Sequence, residues 1–127
     1  MFFKRESRKK AIDHISALCR KADTICVYDR YSFNNNENIE LLRGFLPLKK
    51  VSIIYDSQYI DVSLLRGYCD KWTFIDRTLP EYHDRYLVID NHLEIISTSG
   101  FDYLVKTEKE FTYIVRPVSQ QRFNGLR

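Results

Sequence analysis

At 127 residues, the chain has the length of one domain of ordinary size, which excludes a multidomain machine. Hydrophobic residues make up 44% and aromatic residues 14%, enough to bury a core, which excludes an intrinsically disordered chain. Lys and Arg number 20 against 17 Asp and Glu, a net +3 that permits a polyanionic partner without requiring one.

From Ser7 to Ala22 the apolar residues Ala11, Ile12, Ile15, Leu18 and Cys19 recur at helical spacing, with Arg8, Lys9, Lys10, Arg20 and Lys21 on the other face, so an amphipathic first helix is predicted. The β-branched and aromatic run from Thr24 to Tyr28 predicts a buried strand, which delivers a polar loop, Asp29 to Asn38, at its carboxyl end. Ile39, Leu41, Leu42, Phe45 and Leu46 predict a short helix closed by Gly44 or Pro47, and Lys50 to Tyr55 a second strand, which together complete one βαβ unit. Asp61 is placed to cap a third helix through Val62, Leu64, Leu65 and Tyr68, before a strand from Trp72 to Ile75.

After Pro80 the pattern changes. His83 to Ile89 and Leu93 to Thr98 read as strands joined by Asp90-Asn91-His92, a turn too short for a parallel crossover, so the pair must be a hairpin. Phe111 to Val115 supplies a last strand before Pro117. The sum is an α/β domain over residues 1–117, with a mixed, mostly parallel sheet of about six strands flanked by helices, and a tail over 118–127.

The cysteines Cys19, Cys26 and Cys69 are odd in number and far apart, with no CxxC pair. Neither a disulfide framework nor a zinc site is indicated, and a reducing compartment is the simpler reading. Met1-Phe2-Phe3 runs at once into Lys4-Arg5-Glu6, leaving no apolar core of signal-peptide length, and no later run approaches membrane-spanning length. The expectation is a cytoplasmic protein with no transmembrane segment and no metal or cofactor.

Residues two apart on a strand share a face, so His83 and Arg85 are expected to project together while Tyr86 and Val88 point into a packed layer. An imidazole titrates near neutral pH and a guanidinium holds two phosphate oxygens at once. Asp90 follows at the turn. The next strand ends in Ser97-Thr98-Ser99-Gly100, hydroxyl donors on a flexible backbone that suit a phosphate. Asp29, Arg30 and Tyr31 offer a cation and an aromatic ring at the end of the first strand, where a nucleic-acid strand would meet them. The plainer readings are that Arg85 and Asp90 form a structural ion pair, that the hydroxyls satisfy backbone groups, and that His14, His92 and the basic helix face are solvated surface.

His83-x-Arg85-x4-Asp90-x6-Ser97-Thr98-Ser99-Gly100 resembles the HxKx4Dx6GSxN signature of the phospholipase D superfamily, with Arg for Lys, Ser97-Thr98 for Gly-Ser and Gly100 for Asn. Within it, Tyr82-His83-Asp84-Arg85, Ser99-Gly100-Phe101-Asp102-Tyr103-Leu104 and Arg116-Pro117 are most similar to the phospholipase D-like domain at the C-terminus of MIT-domain proteins and in small prokaryotic relatives. The resemblance implies a metal-independent phosphodiesterase, with His83 as nucleophile, Arg85 and Thr98 stabilising the phosphoryl oxygens, and Asp90 serving architecture or chemistry. Because the family pairs two such motifs and this chain carries one, it also implies a homodimer. The departures from the signature point instead to a non-catalytic module binding nucleic acid or anionic phospholipid headgroups. An assembly subunit that recruits another protein through its sheet is the third reading.

Overall fold

The computed structural model describes residues 2–3, 8–30, 33, 36–105 and 111–118. Helix α1 spans Arg8–Cys19 and turns Ala11, Ile15 and Cys19 inward. Helix α2 spans Asn36–Phe45 and buries Ile39, Leu41, Leu42 and Phe45. Both stripes lie on one side of a sheet whose strands are β1 (Phe2–Phe3), β2 (Thr24–Tyr28), β3 (Val51–Tyr55), β4 (Trp72–Asp76), β5 (Arg85–Ile89), β6 (Leu93–Ser97) and β7 (Phe111–Pro117), in the order β1-β7-β6-β5-β2-β3-β4.

Alternation along the strands divides the core in two. Ile25, Val27, Ile53, Leu87, Ile89, Ile95, Phe111 and Tyr113 face the helices. Cys26, Tyr28, Ile54, Tyr86, Val88 and Ile96 face the other way and pack under Leu79 and Tyr82. That second face is closed by the segment between β4 and β5, which Asp56 anchors by accepting the Leu79 amide at 3.0 Å. Trp72 ties β4 to the end of α2, its indole donating to the Pro47 carbonyl at 2.7 Å.

The mixed sheet and flanking helices match the α/β expectation, and β2, β3 and β4 are parallel. The remaining pairings, β1 with β7, β2 with β5, β5 with β6 and β6 with β7, are antiparallel. The sheet is therefore mostly antiparallel, correcting the expected balance: β5 docks beside β2 instead of extending the series beyond β4. The predicted third helix is a single 3-10 turn, Val62–Leu64, capped as expected by Asp61, which accepts the Ser63 amide at 2.9 Å. Only Val62 and Leu65 are buried there, and Gly67 turns the chain at φ 86, so fewer than two turns are available to offset helix nucleation.

Asp90 and Asn91 both adopt positive φ, 53 and 56, and His92 donates its amide to the Ile89 carbonyl at 3.0 Å. These are the dihedrals of a type I′ turn, whose twist suits a hairpin and which Asp and Asn tolerate better than other side chains. Among the described residues no helix is long and apolar enough to cross a membrane.

Cys19 and Cys26 are buried and Cys69 is half-exposed. Burial pushes both the Cys19 and Cys26 thiols up to about 12, so neither supplies thiolate at neutral pH. Brief treatment of the native protein with iodoacetamide near pH 8 is expected to modify Cys69 alone, and all three thiols after unfolding. Mass spectrometry reads the difference.

Candidate active site

The antiparallel register of β2 and β5 pairs Ile25 with Ile89 and ends at Tyr28 with Tyr86. One step further, Asp29 leaves β2 facing Arg85 as it enters β5, and both keep the helix-facing parity of Val27 and Leu87. The Asp29 side chain is 0% exposed, and its Oδ1 lies 3.9 Å from Arg85 Nε. Its other oxygen accepts the Phe101 amide at 2.9 Å. Arg85, 19% exposed, donates from Nη1 to the carbonyl of Thr98 at 2.8 Å and to that of His83 at 3.4 Å.

His83 precedes the strand, in a bend, with its side chain 96% exposed. It projects from a well-held segment. Tyr28, at the end of β2, accepts the Tyr82 amide at 2.7 Å and donates its hydroxyl to the Tyr82 carbonyl at 3.3 Å. Burial raises the Tyr28 hydroxyl above the ordinary tyrosine range, so it remains a donor at neutral pH. The rings of Tyr28 and Tyr86 both pack edge-on or tilted against Tyr82 or each other. Asp84 Oδ1 lies 3.7 Å from His83 Nδ1, close enough for a charge interaction but beyond hydrogen-bond distance.

Arg30, Tyr82, His83, Asp84 and Arg85 line one hollow of about 180 Å³ at this end of the sheet. Arg30 reaches it from the end of β2, its guanidinium 5.4 Å from the Tyr59 ring centroid and 3.9 Å from Glu81 Oε1. Two guanidinium groups, an exposed imidazole and the Asp84 carboxylate border this hollow, and forked guanidinium donors are of the kind that match phosphoryl oxygens. Among the described residues no group of three or more His, Cys, Asp or Glu side chains is gathered to hold a metal ion.

No protein-family model matches the chain, and no curated protein matches it in sequence. Several solved chains are similar to it, two of them as follows. NucT from Helicobacter pylori aligns with a TM-score of 0.53 at 11% identity, covering 94% of this chain and 84% of that one. Nuc from Salmonella typhimurium, a phospholipase D family member, aligns with a TM-score of 0.45 at 16% identity, over 81% of this chain and 72% of that one. The chain shares its fold with NucT.

Within this fold the sequence-predicted residues separate into groups. His83, Arg85 and Arg30 converge on the hollow. Asp29 lies behind Arg85, sealed from solvent, where the sequence reading placed it on an open binding surface. Thr98 is exposed where β6 ends and meets Arg85 through its carbonyl. Ser97 is buried opposite Arg85, and its hydroxyl donates to the Thr112 carbonyl at 3.1 Å and lies 3.3 Å from that of half-buried Ser99. Its hydroxyl is engaged across the β6–β7 pairing. Gly100 is buried and starts the 3-10 turn Phe101–Leu104 at φ −63, a conformation open to any residue. Tyr31 lies outside the described residues, as do Ser7, Arg122 and Arg127.

Asp90 stands at the opposite end of β5 from Arg85. Its Oδ1 accepts the amides of Asp23 and Thr24, each at 2.8 Å, and its own amide donates to the Thr24 carbonyl at 2.9 Å. Five extended residue steps separate it from Arg85, about 16 Å. The suggested Arg85–Asp90 ion pair is therefore replaced by Arg85–Asp29, and Asp90 fastens the hairpin turn to the start of β2. Sequence reasoning missed Asp84, Tyr59 and Glu81 as members of this end of the molecule. Asp84 was adjacent to His83 throughout, but Tyr59 and Glu81 arrive from separate loops and leave no local signal.

Proposed function

We propose that the chain is a metal-independent phosphodiesterase acting on nucleic acid as a homodimer, through a phosphohistidine intermediate. The observation that carries this reading is the exposed His83 imidazole sharing one hollow with the guanidinium groups of Arg85 and Arg30. In the first step His83 Nε2 attacks phosphorus and the bond from phosphorus to the leaving oxygen breaks, that oxygen taking a proton from His83 of the partner subunit. In the second, water attacks phosphorus, the P–N bond breaks, and the water's proton passes to the partner subunit's His83. Arg85 and Thr98 are the residues this reading assigns to stabilise the charge that develops on the equatorial oxygens. No step calls for a metal ion.

One motif per chain makes the second histidine intermolecular, and a two-fold interface supplies it. The cytoplasm is the proposed site of action, in line with the three free thiols, and residues 1–117 are the proposed domain, with 118–127 as its tail. A specific feature supports a second reading, a non-catalytic phosphate-binding module for nucleic acid or anionic phospholipid headgroups: Arg85, at the position of the superfamily's Lys, is already engaged by Asp29 and two backbone carbonyls.

Incubation with single- and double-stranded DNA and RNA in EDTA, alongside sedimentation with anionic liposomes, separates the two. EDTA-resistant products are expected, from a species of twice the 15.2 kDa chain mass by light scattering. Retention on nucleic acid or liposomes without products would establish the binding module instead.

A further inference from the structure

We infer that Asp29 is a positioning residue for the candidate site, acting on His83 and Thr98 through the Arg85 guanidinium; this rests on the phosphodiesterase reading. Three separate segments meet at this end of the sheet: the end of β2 at Asp29, the entry to β5 at His83–Arg85, and the exit of β6 at Thr98–Phe101. None is held to the others here by regular strand pairing alone, because the β2–β5 ladder ends at Tyr28 with Tyr86 and the β5–β6 ladder at Arg85 with Ser97. The Asp29–Arg85 pair spans the gap. Asp29 takes the Arg85 Nε side at 3.9 Å and the Phe101 amide at 2.9 Å, and Arg85 Nη1 takes the carbonyls of Thr98 and His83.

The chemistry requires a guanidinium. Its donors are fixed in one plane on two sides of a rigid fork, so one edge can face the carboxylate while another nitrogen reaches carbonyls of two different segments. A lysine ammonium is a single point charge and cannot address all three partners in that geometry. Asp29 and Arg85 thus work as a matched pair: without the carboxylate behind it, the guanidinium loses the charge that orients its plane. The carbonyl of His83 then loses its fixed donor, and the imidazole its defined approach to phosphorus. Misplacement by about 1 Å is enough to lower turnover about 10²-fold.

The test uses the full chain and bis(p-nitrophenyl) phosphate in EDTA, with Asp29→Asn, Arg85→Lys and the double variant, each checked for an unchanged circular dichroism spectrum. Asp29→Asn is expected to lower kcat about 10- to 100-fold with KM changed less than about threefold, the pattern of a group that places the reacting atoms and does not merely support the fold. The double variant should fall no more than about threefold below the weaker single, because the two side chains act as one unit. An unchanged kcat in Asp29→Asn, or losses that multiply in the double variant, would overturn the inference.

A second measurement keeps it separable from the catalytic reading. In 15N spectra of the wild type, hydrogen exchange of Arg85 Nε–H and of the Phe101 amide is expected to be slowed, and Asp29→Asn should accelerate both at least about tenfold. If the wild type cleaves nothing, this exchange still decides the inference: acceleration confined to the His83–Arg85 and Thr98–Phe101 segments upholds the positioning role, and unchanged exchange overturns it.

Discussion

Asparagine in place of His83 is expected to lower EDTA-resistant phosphodiester cleavage by about 10⁴-fold or more, because in a homodimer the one substitution removes both the nucleophile and the proton donor. The fold should be indifferent. The imidazole is 96% exposed and its neighbour is the surface carboxylate of Asp84, so unfolding by urea should shift by less than about 0.5 kcal/mol. Loss of cleavage with intact stability would place the chemistry at His83. Full activity in the variant would remove the histidine mechanism, whatever the oligomeric state.

Phe101→Ala is the substitution expected to cost most in stability, about 3–5 kcal/mol, as a large buried ring leaves a cavity that its neighbours only partly fill. Phe101 is fully buried under the 3-10 turn, stacked on Phe33 at 6.3 Å and in contact with Phe45 at 6.5 Å and Phe111 at 6.2 Å between ring centroids. It therefore joins the loop after β2, α2 and β7 beneath the site. Against a total stability of about 5–15 kcal/mol for a chain of this kind, that loss should lower the urea midpoint sharply at constant slope. A loss under about 1 kcal/mol would show that this aromatic cluster does not hold the upper end of the core. The same residue carries the amide that Asp29 accepts, so the variant should also loosen the Thr98–Phe101 segment.

Much of the fold was legible because strand and helix periods are local properties. The β-branched, aromatic and apolar runs from Thr24 to Tyr28, Lys50 to Tyr55 and Leu93 to Thr98 predicted the strands, the spacing of Ala11, Ile15 and Cys19 the first helix, and the short turn Asp90-Asn91-His92 the hairpin. Neighbour order is different. Nothing within β5 says whether it lies beside β4 or beside β2, and that placement turns a mostly parallel expectation into a mostly antiparallel sheet. The same limit governs the site. His83 and Arg85 stood out by spacing, whereas the partnership of Arg85 with Asp29 depends on a register between residues 56 positions apart, and the separation of Asp90 from Arg85 depends on the strand between them being fully extended. One clue was available: Asp29 continues the parity of the apolar residues Ile25 and Val27, so a carboxylate in that place had to be buried against a cation. Ser97 shows the converse, a hydroxyl that suits phosphate by type but sits at a core-facing strand position and pairs with its neighbours.

The central claim is that the exposed His83 forms a bond to phosphorus. Rapid acid-free quenching of the wild-type protein with a nucleic-acid substrate in EDTA, followed by intact-mass and peptide mass spectrometry, tests it most directly. A phosphoryl adduct on the peptide that carries His83, absent from His83→Asn and lost as turnover completes, is the result predicted here. Sustained cleavage with no adduct on that peptide at any time during turnover would contradict it.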